Sequence, residues 1–255
     1  MGASDSRGPA AADGFELDID GTPVRITLVR RAAARRYILR VVSGAGQVRV
    51  TMPARGSRRE ALAFAERQRD WIRTRLERLP EPVPLADGAE IPLRGQAHRI
   101  EHRECARGVV WVEPGDPDPL LPEDALPRLC VAGRYSHLRR RLRDWLESQA
   151  KQRLARSVRK YSRRLGVSVA RVSVRDQKSR WGACSASGTL TFSWRLILAP
   201  DFVLDYLAAH EVAHLKEMNH SPHFWRILND LCPETERAEA WLSAHGSSLH
   251  RYDPR

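Results

Sequence analysis

The sequence predicts an α+β protein in two parts, and three observations support this fold class. In residues 15–113, short stretches of alternating apolar and polar residues surround one segment of helical spacing, which is typical of a small β-rich domain with one helix. Residues 114–132 are rich in proline and predict a linker or loop. In residues 133–255, long segments of helical periodicity enclose two short strands, which predicts a second domain.

Composition narrows the class of protein further. Of the 255 residues, 42% are hydrophobic and 29% are charged, which suits a soluble globular protein and excludes collagen, a coiled coil and wholesale disorder. No apolar run approaches the ~20 residues that cross a bilayer, and residues 1–14 are small and polar. We therefore expect a disordered tail over 1–14, no membrane partner and a cytoplasmic location.

The elements of the first part follow from its local patterns. Apolar and polar residues alternate in four stretches, which predict strands at 15–19, 24–29, 37–42 and 48–52. Gly21 lies between the first two strands and predicts a hairpin. Residues 57–79 place apolar residues at helical spacing with arginines between them and predict one amphipathic helix. Short β-like stretches follow at 99–102 and 109–112.

The second part opens with a long helix over 138–165, for which Gly166 is a C-terminal stop signal. Two strands follow at 169–174 and 189–194. Two further helices are predicted, one from 201 to about 218 and a last one over about 234–244.

Positive charge is concentrated on the long helix of a chain whose formal net charge is +12. The basic ridge formed by this helix has two interpretations: a solvated face of an amphipathic helix, or a surface for nucleic acid or another anionic partner. The residues that would form such a surface are Arg139, Arg140, Arg143, Arg156, Arg159 and Lys160.

The helix that begins near residue 201 contains an H-E-x-x-H motif at 210–214. Residues four apart on a helix lie on one face, so the imidazoles of His210 and His214 can reach one metal ion. Glu211 is one step round the helix and would face a water on that ion. A chain of this composition contains roughly 0.02 such motifs by chance.

A catalytic zinc ion generally takes three protein ligands, so a third ligand is needed. His220 is the nearest candidate, but a helix continued to this residue would carry its side chain ~15 Å along the axis. The helix must therefore end first. Asn219 can adopt the left-handed conformation that ends a helix, and Pro222 disfavours re-entry.

Other third ligands stay open. A carboxylate from the last predicted helix would serve, and His223 is a further candidate, although an ordinary imidazole near Phe224 is the better interpretation of that residue. The carboxylate candidates are Glu234, Glu236 and Glu239.

Three segments, 175–185, 194–200 and 210–225, closely resemble the YgjP-like metallopeptidase family, a relative of the SprT-like and minimal gluzincin peptidases. The resemblance implies a zincin-like catalytic domain made of a long helix, a small antiparallel sheet, the HExxH helix and a C-terminal helix. It also implies that His210, His214 and His220 bind one zinc ion and that Glu211 is the catalytic acid/base. Ala183 and His223 depart from the family pattern, without affecting ligand or base.

Together these features predict a zinc metallopeptidase that hydrolyses peptide bonds of a protein or peptide, with a zinc-activated water and Glu211 as general base. Two alternatives remain: a nucleoside triphosphate (UTP) pyrophosphatase, and a nucleic-acid-associated SprT-like peptidase module. The segment that contains Arg180 and Trp181 is either a sheet edge that binds extended peptide or simple packing. The residues that we expect to contact substrate or oxyanion are Arg180, Trp181, Tyr206 and His223.

Overall fold

The computed structural model describes residues 13–42, 47–115, 126–177 and 180–253. These ranges form two compact units, of which the first ends at Pro80 and the second begins at Glu81. The α+β class is confirmed. Most of the predicted disordered tail lies outside the described residues, but Gly14 is the first residue of a strand. Among the helices of the described ranges, none combines the length and the apolar character that crossing a membrane requires.

The first unit contains a four-stranded sheet, and the four predicted strands are confirmed. They are β1 (Gly14–Ile19), β2 (Thr22–Arg30), β3 (Ile38–Val42) and β4 (Gln47–Met52), in the order β1-β2-β4-β3. The predicted hairpin joins β1 to β2. Its turn residues, Asp20 and Gly21, have φ values of 52° and 81°, as a type I′ turn requires.

The helix predicted over 57–79 is two helices, α1 (Arg58–Arg67) and α2 (Arg69–Glu77). They meet at Gln68, whose φ of −102° and ψ of 15° leave the helical region. The buried residues Ala61, Ala65 and Ile72 keep helical spacing across this break. The hydrophobic pattern therefore does not reveal it.

The second unit begins with another four-stranded sheet. Its strands are β5 (Glu90–Leu93), β6 (Gln96–Arg103), β7 (Val110–Glu113) and β8 (Arg128–Ala132), in the order β5-β6-β8-β7. The linker predicted over 114–132 differs from the observed boundary at Pro80, because the last residues of this range form β8, which pairs with β7 in one sheet. Ile91 and Ile100 share one core with the long helix. Residues 116–125 lie outside the described ranges.

The rest of the second unit carries the H-E-x-x-H motif. Its elements are α3 (Leu138–Leu165), β9 (Arg171–Arg175), β10 (Gly182–Cys184), β11 (Thr189–Ser193), α4 (Asp201–Ala213), α5 (Pro222–Leu231) and α6 (Thr235–His245). As predicted, α3 ends at Gly166, which has a φ of 67°. The expected antiparallel sheet is mixed instead, because β11 pairs parallel with β9 and antiparallel with β10.

Two predictions about helices in this unit need correction. The helix from Asp201 ends at Ala213 rather than near 218. A further helix, α5, begins where we expected Pro222 to disfavour helix. Proline suits the first position of a helix, where its missing N–H is not needed, and the Ser221 hydroxyl accepts a hydrogen bond from the N–H of Phe224.

A buried network of ion pairs joins distant parts of the second unit. Arg195, which is 3% exposed, pairs with Asp176 in the segment that leads to β10. Arg143 of α3 lies 3.2 Å from Asp176 and 2.6 Å from Asp253 near the C-terminus. The Trp194 ring lies beneath both guanidinium groups, at 5.1 and 4.7 Å. This network anchors the segment that leads to β10.

We predict that Asp176→Ala destabilises the protein by roughly 3–5 kcal/mol, because it leaves the buried guanidinium of Arg195 without its carboxylate. Arg140→Ala is the matched control, since it breaks an exposed ion pair with Asp144 and should change stability little. Urea unfolding followed by tryptophan fluorescence measures both. Equal, small changes for the two variants would contradict the importance of the network.

Candidate metal centre

Three histidine side chains converge at the end of α4. His210 and His214 come from α4, and His220 comes from the connection to α5. Their ligand nitrogens all lie within 4.8 Å of one another, and the Nε2 atoms of His210 and His220 are 3.1 Å apart. Two nitrogens that bind one tetrahedral zinc ion are about 3.3 Å apart, given the usual Zn–N bond length. The cluster therefore has the size that a single ion requires.

The end of α4 and the start of α5 bring His220 to the other two histidines. The backbone leaves α4 after Ala213, and Asn219 has no positive φ, so the expected left-handed residue does not make the break. In α5, Phe224 is fully buried, and its ring lies 5.0, 4.6 and 4.8 Å from the rings of His210, His214 and His220. We did not predict that Phe224 packs against the three histidines. The Ser-Pro pair that precedes Phe224 is the sequence signal for α5, the helix that carries this residue.

Hydrogen bonds behind the histidines orient the imidazoles of α4. The Nδ1 of His210 lies 3.4 Å from the hydroxyl oxygen of Tyr206, which in turn donates to Glu239 at 3.0 Å. The Nδ1 of His214 lies 3.1 Å from the carbonyl oxygen of Glu217 and can donate to it. Both contacts leave Nε2 for a metal ion, an arrangement that proteins use to fix the tautomer of a ligand.

The protonation state of the α4 histidines also suits a metal ion. Burial, followed by repulsion from His214 and His220, lowers the pKa of His210 to about 4. Burial lowers the pKa of His214 too, against an opposing hydrogen bond to the carbonyl of Glu217. At neutral pH both rings are therefore neutral and have a lone pair to offer.

Among the residues that line the cleft beside this cluster, Glu211 is the acidic one. Its side chain is 4% exposed, and burial raises its pKa to about 8, with Arg180 opposing the shift. Its Oε2 atom has no hydrogen-bond partner in the described part of the chain. A buried oxygen without a partner is costly, so this atom fits a site in which a metal ion and its water belong.

A cleft of about 260 Å³ opens onto these residues, between β10 and the end of α4. Gly182 of β10 lies directly against Glu211. A Cβ atom at this position would stand 2.8 Å from both the Cγ and the Cδ of Glu211, closer than such atoms approach. Only glycine at position 182 therefore allows the Glu211 side chain to keep its present conformation.

The four expected substrate or oxyanion contacts do not come together. Arg180 is exposed and lines the cleft. The Trp181 ring instead stacks on His250, with 4.8 Å between ring centres, and His223 is exposed on α5. The Tyr206 hydroxyl lies behind His210 and is bonded to Glu239. Of the four, the structure thus places Arg180 alone in the cleft, as far as the described residues show.

The rival third ligands lie elsewhere. Glu239 accepts the hydrogen bond from Tyr206, and Glu234 pairs with Arg237 at 2.9 Å. Within the described ranges, the cluster that can hold a metal ion consists of His210, His214 and His220.

Acidic residues neutralise part of the basic ridge on α3. Ion pairs join Arg139 and Arg143 to Asp253, Arg140 to Asp144, and Lys160 to Asp205. Arg156 and Arg159 are exposed and form no ion pair with any residue that the structure describes. The uncompensated charge on this face is therefore smaller than the sequence suggests.

Comparison with known proteins places this site in a family. The sequence model for the YgjP-like metallopeptidase domain matches residues 35–245. The chain belongs to the YgjP-like family. This membership confirms the resemblance noted from the sequence, and a metallopeptidase domain implies that the protein holds a metal ion.

One solved structure is similar to part of this YgjP-like chain. It is the crystal structure of the metallopeptidase zymogen of Pyrococcus abyssi abylysin, which is 26% identical in sequence. The match covers 39% of this chain and 97% of that one, with a TM-score of 0.34. No protein of curated function matches the sequence.

We predict that Tyr206→Phe weakens divalent metal binding by about 10–100-fold, because the partner that orients His210 is lost. Tyr135→Phe removes a hydroxyl from an exposed ring far along the chain and serves as the control. Competition with a chromophoric chelator measures both affinities. An unchanged affinity in Tyr206→Phe would show that the contact to His210 is incidental.

Proposed function

We propose that this YgjP-like protein is a zinc-dependent peptidase, in which His210, His214 and His220 hold the zinc ion and Glu211 is the general base. The observation that carries the proposal is the unpartnered Oε2 of Glu211 beside three convergent imidazoles. Three imidazoles are a donor set that suits zinc in catalytic sites. Family membership supports the metallopeptidase class.

In the proposed reaction, Glu211 carries a proton from the attacking water to the leaving group. When bound, zinc acts as a Lewis acid that makes a water more acidic and polarises a carbonyl group. Glu211 accepts a proton from the attacking water at Oε2 and donates it to the nitrogen of the leaving amine. Burial raises the pKa of Glu211 and favours the protonated form that exists between the two transfers. The positive charges of Arg180 and of a bound zinc ion favour the ionised form that accepts the proton. Its near-complete burial keeps bulk water from competing.

The edge of β10 is suited to an extended peptide. Within the described residues β10 is the edge strand of its sheet. Trp181 and Ser185 use their main-chain groups to bond β11, through Ser193 and Thr189. Because these groups alternate along a strand, the N–H and C=O of Gly182 and Cys184 point to the opposite edge. They can pair with a substrate backbone, as in strand addition.

Arg180 completes the proposed site. Its side chain is at the cleft next to Glu211, and its positive charge opposes the rise in the Glu211 pKa. A guanidinium in this place is suited to stabilise the negative charge that develops on the carbonyl oxygen. We therefore propose Arg180 as the oxyanion contact, in preference to Tyr206 and His223.

A peptide substrate fits the site better than the alternatives do. A strand edge beside the cleft recognises a polypeptide backbone, and the sequence contains no P-loop for a nucleoside triphosphate. UTP hydrolysis and a nucleic-acid-associated role stay alternatives, and the assay below includes UTP.

We predict that Glu211→Gln retains zinc but hydrolyses casein at least about 100-fold more slowly than the wild type, because the general base is lost. Zinc content is measured by atomic emission, and hydrolysis by release of labelled peptides. A chelator control and a parallel assay with UTP accompany each measurement. Full activity in Glu211→Gln, or hydrolysis of UTP alone, would refute the proposal.

Gly182→Ala tests the contact between β10 and Glu211. Its new methyl group must push Glu211 aside, so we expect kcat to fall by about 100-fold, comparable with losing a correctly placed base. Zinc affinity should stay unchanged, since the atoms nearest to the new methyl group belong to Glu211 and not to a histidine. Ala183→Gly on the same strand is the control. An unchanged kcat in Gly182→Ala would show that the activity does not depend on the close contact between position 182 and the Glu211 side chain.

A further inference from the structure

A second cleft, of about 610 Å³, adjoins the metal cleft, and no step of the proposed reaction uses it. We call it the side pocket. It lies between the segment 167–170, the turn 185–188 that joins β10 to β11, and the segment 214–218 that follows the end of α4. Apolar side chains dominate its wall: Val167, Val169, Ala170, Leu215 and Met218. Polar groups stand among them, namely Ser185, Ser187 and Lys216.

The side pocket lies next to the metal cleft and shares part of its wall. His214 and Met218 line both of them. Met218 is 51% exposed, an unusual state for a large apolar side chain that stands at the junction of two clefts. A thioether side chain adapts its shape to different apolar groups, which suits a place that a substrate side chain passes.

Strand geometry relates the side pocket to the cleaved bond. Gly182, Ala183 and Cys184 of β10 line the metal cleft, and the next residue, Ser185, begins the turn that lines the side pocket. A peptide paired with β10 advances about 3.3 Å per residue, and its alternate side chains point the same way. A side chain within about three residues of the bond at the metal therefore reaches the side pocket.

We propose that the side pocket is a specificity subsite that binds an apolar side chain of the peptide substrate, such as that of Leu, Met or Phe. Its size and its mostly apolar wall with a few polar groups are those of ligand pockets in proteins. A buried carboxylate would lose its hydration among Val167, Val169 and Leu215, whereas an aliphatic group gains from leaving water. This inference rests on the proposed peptidase function and names the substrate class of that same site.

The first experiment is digestion of a positional peptide library by the zinc-loaded full-length protein. We expect kcat/KM for Leu, Met or Phe to exceed that for Gly by about 10–200-fold at one fixed position within three residues of the cleaved bond. Ala170→Trp fills the side pocket from an exposed position, so its ring needs no space in the core. It should shift the preferred residue at this position to Gly or Ala. Ala244→Trp, on the exposed side of α6, should keep the wild-type preference.

The second experiment measures binding without hydrolysis. A fluorescent peptide with Leu at the selected position, or a Leu-rich peptide mixture if none is selected, is titrated with zinc-loaded Glu211→Gln protein, and anisotropy gives the affinity. The double variant Glu211→Gln/Ala170→Trp should bind the peptide about 10-fold or more weakly than Glu211→Gln alone does. The double variant Glu211→Gln/Ala244→Trp should bind it as tightly as Glu211→Gln does.

The outcomes separate the two proposals. Cleavage without an apolar preference overturns the subsite and leaves the peptidase function standing. A preference for Asp or Glu overturns the apolar assignment and points to Lys216. If no peptide is cleaved, the peptidase function fails, and binding to Glu211→Gln decides the subsite: Leu-dependent binding that Ala170→Trp abolishes supports it, and the lack of such binding overturns it.

Discussion

The position of α4 within the core is the constraint on which the site depends. Val203, Ala208 and Val212 are fully buried, so the helix can neither turn nor slide without opening the core. The same rotation that buries these residues directs His210 and His214 towards the cleft and places the Glu211 carboxylate against Gly182. The geometry of the proposed site is thus set by apolar packing. The polar groups at the site only refine it, through the contacts of Tyr206 and Glu217 to the imidazoles.

Local sequence patterns predict the part of the site that lies on one helix. The spacing of His210, Glu211 and His214 and the offset of His220 are sufficient to predict that the three histidines come together, because helical periodicity and a short loop restrict where these side chains can go. They do not predict how the loop is formed. The backbone leaves α4 at Ala213, where the sequence has no stop signal, and it enters α5 at Pro222, which the Ser-Pro pair does mark.

Contacts between distant residues explain what local patterns miss. The boundary at Pro80 depends on β7 and β8, which pair across a proline-rich segment that resembles a linker. The strand β10 has three residues, too few for an alternating pattern to appear. Likewise, the charge of α3 looks unbalanced along the chain, but Asp253, 114 residues from Arg139, neutralises part of it. Each of these features forms only when the chain has folded.

The three histidines of the proposed metal site differ in freedom of movement. All three rings pack on Phe224, but His210 and His214 are fixed to the buried helix, whereas His220 is exposed and belongs to a connection without regular structure. Displacing His220 breaks no helix. If the cluster holds a metal ion, the ring that can most readily swing away from it is therefore that of His220, while the other two imidazoles keep their places. The loop would then control the lifetime of the bound ion, and the helix would control its coordination geometry.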